Sequence, residues 1–269
     1  ASESPVYRYT VQGFFNQDFQ KRGRKMNESV YGGDGHLYIE TLYTTQQIDW
    51  ENGDTIVAGD CPAIAYTSYE AEITRYYEQE AAPQIVTEIV RQYDLYHNVT
   101  HYENKGDTSR TDEFLSAEIS YRHGLGHNLI SLPDTIVVKD KQNRLLQKRV
   151  AHYDPLGNLT AIEQFWGDSI SRYDFYHNIY GSVDSLRMPS NYRGQRMGYS
   201  YEYDNVVHAY PVRTKDAFEY SSTATYDYRI GKPLTTTDLN GNTIRYHYDE
   251  WGRLDTLVGP NELSTNKPY

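Results

Sequence analysis

A few stretches of the chain carry side chains at spacings that could hold a metal ion. Asp238, Asn240 and Asn242, with Asp249 eleven residues after the first, imitate the oxygen ligands of a calcium loop. Glycine stands at 241 where such a loop has it at 243, and the closing ligand is Asp where Glu is usual. A hairpin turn accounts for every one of these residues, so no metal is expected. His123 and His127 stand four apart, but Gly124 and Gly126 between them favour a turn over a helix, and no third zinc ligand is evident. Cys61 is the only cysteine and precedes Pro62, so it reads as a small turn residue with no disulfide partner.

Nucleophilic chemistry finds no foothold either. There is no Gly-x-Ser-x-Gly, and the Gly32-Gly33-Asp34-Gly35 run has no lysine or helix after it to bind phosphate. Carboxylate pairs such as Glu78/Glu80 and Asp112/Glu113 could serve a glycosidase only if folding set them at the right separation. The residues therefore predict no enzyme activity, no catalytic or metal site and no cofactor.

The elements that would position such groups are strands. Tyr occurs 28 times against 7 Phe and 3 Met. Tyrosine suits thin, half-wet layers, because its ring packs while its hydroxyl reaches a polar partner. With Thr, Val and Ile it also favours strands. The net charge of -11 argues against nucleic acid and acidic lipid as partners. No apolar run is long enough for a membrane-spanning helix, and "ASESPVYRYT" does not read as a signal peptide. The ending "GPNELSTNKPY" follows a repeat directly, which suggests a piece of a longer protein.

The dipeptide Tyr-Asp recurs as Tyr93-Asp94, Tyr153-Asp154, Tyr173-Asp174, Tyr203-Asp204, Tyr226-Asp227 and Tyr248-Asp249. The last four intervals are 20, 30, 23 and 22 residues, the spacing of a repeat architecture. Residues 233–254 show one unit. "PLTTTD" reads as a strand, and Asn240-Gly241 as the pair that tolerates the positive φ of a tight hairpin. "TIRYHYD" is a second strand with Ile244, Tyr246 and Tyr248 on one face. Asp249 can then bond backbone amides ahead of it, and Gly252 supplies the unusual backbone angle. Gly157 and Gly231 play the same part after Tyr153-Asp154 and Tyr226-Asp227. After Tyr93-Asp94 and Tyr173-Asp174, Asn98 and Asn178 are expected to take the left-handed position. The copy at Tyr203-Asp204 lacks the glycine.

Residues 1–90 are less regular but still read as strands and turns, including "EAEITRYYEQEAA", whose alternation and following Pro83 favour a strand over a helix. A soft boundary near residue 90 separates this segment from a hairpin array over 91–269, with one continuous sheet as the alternative.

"YDYRIGKPLTTTDLNGNTIRYHYDEWGRL" and "HYDPLGNLT" resemble the YD repeats of the RHS protein family. That family includes bacterial RHS proteins, the B and C components of insecticidal toxin complexes, SpvB-like proteins and, distantly, the teneurins. The segment "VYRYTVQGFFNQDFQKRGR" is more loosely similar to the stretch preceding the repeats in toxin-complex B components. The resemblance implies an all-β fold in which stacked antiparallel hairpins build part of a curved or spiralling sheet. It also implies a role: the shell encloses a C-terminal toxin or effector polypeptide. No aspartyl self-cleavage site is recognisable, so cleavage is not carried over.

The expectation is thus a non-enzymatic scaffold from a secreted or cell-surface bacterial protein, its partners being the rest of its shell and an enclosed polypeptide. The alternative is a carbohydrate-binding or adhesion module that uses exposed tyrosines against glycans.

Overall fold

The computed structural model describes residues 7–17, 19–51, 53–56, 64–110, 112–124 and 128–265. Cys61 and His127 lie outside them. The described residues form eighteen strands and one short helix, so the chain is all-β as expected. Among the described residues no helix is long and apolar enough to cross a membrane. Two compact units divide the chain, Ala1–Val150 and Ala151–Tyr269. The change of pattern expected near residue 90 falls inside a strand that is paired on both sides.

The first unit contains β1 (Arg8–Phe14), β2 (Lys25–Gly32), β3 (Leu37–Asp49), β4 (Ala65–Tyr76), β5 (Ile85–Tyr93), β6 (Val99–Asp107), β7 (Leu115–Gly124), β8 (Leu129–Asp140) and most of β9 (Leu145–Tyr153). Each pairs antiparallel with the next in the chain. The second unit contains β10 (Leu159–Trp166), β11 (Ser169–His177), β12 (Val183–Ser190), β13 (Arg196–Tyr203), β14 (Pro211–Asp216), β15 (Ser221–Asp227), β16 (Lys232–Thr237), β17 (Thr243–Tyr248), β18 (Leu254–Val258) and α1 (Pro260–Thr265). These strands also pair only in chain order.

Within each unit the sheet is thin. Among the described residues the buried apolar side chains are Val30, Ile48, Ala117 and Ala161, all small or medium. A sheet without a thick aliphatic core must draw on cross-strand pairs, each contributing about 0.2–1 kcal/mol. Tyr9 faces Tyr31 directly, with rings 5.1 Å apart and 14° from parallel. Thr225 meets Thr235 at 2.7 Å between hydroxyls, and Thr237 meets Thr243 at 2.9 Å. Along β17, Ile244, Tyr246 and Tyr248 are half-buried while Arg245 and His247 are exposed, the alternation its sequence predicts.

A bulge recurs just after many of the turns. Tyr248 pairs with Leu254 and His247 with Thr256, so Asp255 is the extra residue. Thr100, Val212 and Leu234 are its counterparts opposite Tyr93, Tyr203 and Tyr226. Tyr38, Asp134, Leu146 and Asp184 follow the same rule on other return strands. Each bulge adds local twist and breaks strict side-chain alternation, so face assignments change at that point.

Candidate functional site

The sequence feature that asks for a role is the Tyr-Asp turn, and three of its six copies, at Asp94, Asp154 and Asp249, share one geometry. At Asp154 the backbone amide donates to the Asn158 carbonyl at 3.0 Å, and Gly157 N donates back to the Asp154 carbonyl at 3.1 Å. One carboxylate oxygen of Asp154 accepts the amides of Leu156 and Asn158, both at 2.9 Å. Gly157 sits at φ 88°, a left-handed angle that costs glycine nothing. The aspartate thus ties up amides that the strand ladder leaves unpaired at the bend.

The same pattern recurs at Asp94, Asp140, Asn178, Asn191, Asp216, Asp238 and Asp249. Gly181, Gly194, Gly241 and Gly252 fill the left-handed position at four of these turns, and His97, Asn143 and Glu219 fill it at the other three. Asp204 heads a longer version: its buried carboxylate accepts five amides, from Val206, Val207, His208, Ala209 and Tyr210.

The tyrosine before the cap closes the other side of the bend. Tyr93 donates its hydroxyl to the Tyr69 carbonyl at 2.9 Å, Tyr203 to Val183 at 2.7 Å and Tyr248 to Pro233 at 2.8 Å. Tyr121 does the same to Val99 at 3.1 Å without an aspartate after it. Val99, Val183 and Pro233 stand in the first two positions of the preceding strand, and Tyr69 at the point where the β3–β4 register skips a residue, so each phenol ties down a carbonyl where pairing starts or is interrupted.

Because the strands run in alternating directions, two strands bring the chain back to the same rim. In the second unit the caps Asp154, Asn178, Asp204, Asp227 and Asp249 all lie on one rim, and their turns touch in order. Tyr180 stacks on His208 at 4.1 Å and 6°. Tyr210 stacks on Tyr226 at 4.9 Å and lies 5.9 Å from Tyr228. Lys232 donates to the Gly252 carbonyl at 2.5 Å. The turn tips are apolar and exposed: Leu156, Ile179, Val206 and Trp251 on this rim, Tyr192, Phe218 and Leu239 on the opposite one.

The other predicted residues fall as follows. Tyr173 and Asp174 lie in the middle of β11, where Asp174 accepts from Arg172 at 2.7 Å and Arg196 at 2.6 Å. The bend comes four residues later, where Asn178 is the cap and Gly181 the left-handed residue. Asn98 likewise closes its turn, and His97 at φ 67° takes the left-handed place. Asn240 does not have positive φ; Gly241 alone does, at 82°, because the turn is capped from Asp238. Asp227 caps a four-residue bend through Arg229, with Gly231 at φ 68°. Asp238 and Asp249 lie at opposite ends of β17, about 20 Å of extended chain apart, so they form no common calcium loop. His123 lies 3.8 Å from the Asp94 carboxylate, beside the Tyr96 ring.

Several capping carboxylates are held below the usual carboxylate range. The Asn158 side chain holds the Asp154 carboxyl below the usual range, and Asn242 does so for Asp238. Arg229 lowers Asp227 to about 2. Burial pushes Asp204 upward, but the amides of Tyr210, Val207, Val206 and Ala209 together outweigh it and hold it well below normal. These groups accept hydrogen bonds and already have their donors, so their chemistry is that of structural caps.

No protein-family model and no curated protein matches the chain. Among solved structures it is similar to a mutant Tc holotoxin pore of Photorhabdus luminescens, with TM-score 0.65 and 12% identity over 89% of this chain and 16% of that one. A TcdB2-TccC3-TEV structure gives TM-score 0.64 and 12% identity over 91% of this chain and 17% of that one. TcdB2-TccC3 without its hypervariable C-terminal region gives 0.64 and 12%, over 89% and 16%. The chain has the fold of these toxin-complex structures, as the Tyr-Asp repeats imply, and spans 16–17% of their length.

Proposed function

We propose that the chain is a wall segment of a hollow RHS-type shell, a non-enzymatic scaffold that curves with its neighbours around an enclosed polypeptide. The observation that carries this reading is the rim of the second unit. Its caps fall in register on one side, and consecutive turns stack on one another. Such a ribbon extends by adding hairpins, each covering the edge of the one before. The apolar tips support the same reading. Trp251 is 76% exposed and Ile179 91%, which suits a surface that meets more protein and not bulk water. The shared fold with toxin-complex structures supports a toxin-related, secreted or cell-surface setting, with the remainder of the shell as partner.

The test is limited proteolysis of the parent polypeptide. With the wall intact, a segment enclosed by it resists protease. Charged substitutions at the tips, Ile179→Asp with Trp251→Asp, should open the wall and expose that segment to cleavage. Equal cleavage rates in parent and variant would overturn the proposal.

A further inference from the structure

In the first unit the ends of β1, β2, β3 and β4 border an open cleft of about 660 Å³, away from the capped turns. Three tyrosines line it, Tyr7, Tyr38 and Tyr76, together with Arg8, Asp34 and Glu78. Its size falls within the range of small-molecule sites. We propose that this cleft binds a neutral oligosaccharide.

Two features of the backbone keep the cleft in shape. Tyr38 is the bulged residue on the return strand β3, so it is re-aimed relative to its neighbours. Gly32 leaves room for it: a Cβ there would lie 2.7 Å from the Tyr38 ring and 2.6 Å from an Asp34 carboxylate oxygen. At the rim, the β4–β5 turn places Glu78 at φ 50° and Gln79 at φ 71°. Two consecutive left-handed residues call for Asn, Asp or Gly, and neither residue is of that kind. Gln79 is held there by a hydrogen bond to the Tyr38 hydroxyl. A strained carboxylate at the mouth of a cleft is a feature that folding alone would replace.

The lining chemistry selects the ligand class. Tyrosine rings offer flat apolar faces to the C–H face of a pyranose. Arg8 supplies guanidinium donors, and Asp34 and Glu78 supply acceptors. Donors and acceptors of both charges in one cleft suit a neutral ligand with many hydroxyls. The two carboxylates oppose an anionic ligand, and Arg8 offsets part of the attraction they would have for a cation.

The test uses the whole chain and isothermal titration with cello-, malto-, xylo- and chito-oligosaccharides, with choline and a sialylated sugar as charged probes. Saturable binding of a neutral oligosaccharide is expected, weakened at least tenfold by Arg8→Gln and by Glu78→Asn. Asn tolerates the left-handed angle, so Glu78→Asn should also leave the melting temperature unchanged or raise it. Binding confined to choline or to the sialylated sugar would overturn the proposal. So would no binding of any neutral probe, or full binding by both variants. None of these results bears on the wall reading, which the proteolysis experiment tests by itself.

Discussion

The tyrosine clamp makes the most direct prediction. Tyr93 is half-buried, its ring stacks on His97 at 5.2 Å, and its hydroxyl donates to the Tyr69 carbonyl at 2.9 Å. That carbonyl lies where the β3–β4 register skips Glu70, at a break in the ladder. Tyr93→Phe keeps the ring contact and removes one neutral hydrogen bond, a loss of about 0.5–1.5 kcal/mol. Tyr203→Phe removes the matching bond to Val183, at 2.7 Å, for a similar loss. The two sites lie in different units and should act independently. Each variant should lower the melting temperature of its own unit by about 2–4 °C. Tyr192→Phe is the control: this tyrosine sits 89% exposed at a turn tip, and its replacement should change stability by less than about 0.5 kcal/mol. Urea titrations followed by circular dichroism and tyrosine fluorescence read all three. If Tyr93→Phe and Tyr203→Phe match the control, the hydroxyls do not clamp the strand ends, and the account of why Tyr precedes the cap fails.

Three further outcomes follow from the turns. Gly241→Ala meets no atom within 4 Å and should cost about 1–2 kcal/mol, the left-handed penalty alone, whereas Gly231→Ala should cost more because its Cβ would lie 2.7 Å from the Tyr210 hydroxyl; denaturant midpoints decide the order. Glu219→Gly should stabilise by about 0.5–1 kcal/mol, since Glu219 holds φ 68° and its exposed pair with Lys215 is worth little; a lower melting temperature would contradict this. Asp227 titrates near 2 when folded and about 3.9 when unfolded, so its stabilisation is complete above about pH 4 and is lost as pH falls toward 2. Melting temperatures of Asp227→Asn should accordingly show a shallower acid decline across that window than those of the parent chain.

What the sequence made legible is local. The cap, the left-handed residue and the strands between them depend on side chains within five positions of each other. "DPLGN", "NIYGS", "NYRGQ", "DLNGN" and "DEWGR" all spell one turn, an Asp or Asn followed three residues later by Gly. Reading the dipeptide Tyr-Asp instead of that cap placed a bend at Asp174, where two arginines hold a mid-strand carboxylate. It also passed over Asp140, Asn191 and Asp216, which cap turns with no tyrosine before them. Register was not legible. The carbonyl that each clamp reaches and the bulge opposite it depend on strand pairing, which no short motif encodes. The first unit's cleft was invisible for the same reason, because Tyr7, Tyr38 and Tyr76 come to it from separate segments of the chain.

Strand pairing confined to chain neighbours imposes an arithmetic on how such a chain can change. Losing or duplicating two strands together leaves every later cap on its original side, with its stack of tips intact. Losing one strand reverses the direction of all that follow, so Trp251 and its neighbours would swap sides with Phe218 and Leu239. Length variation in this architecture should therefore come in even steps, and an odd step should be tolerated only at an end of the ribbon.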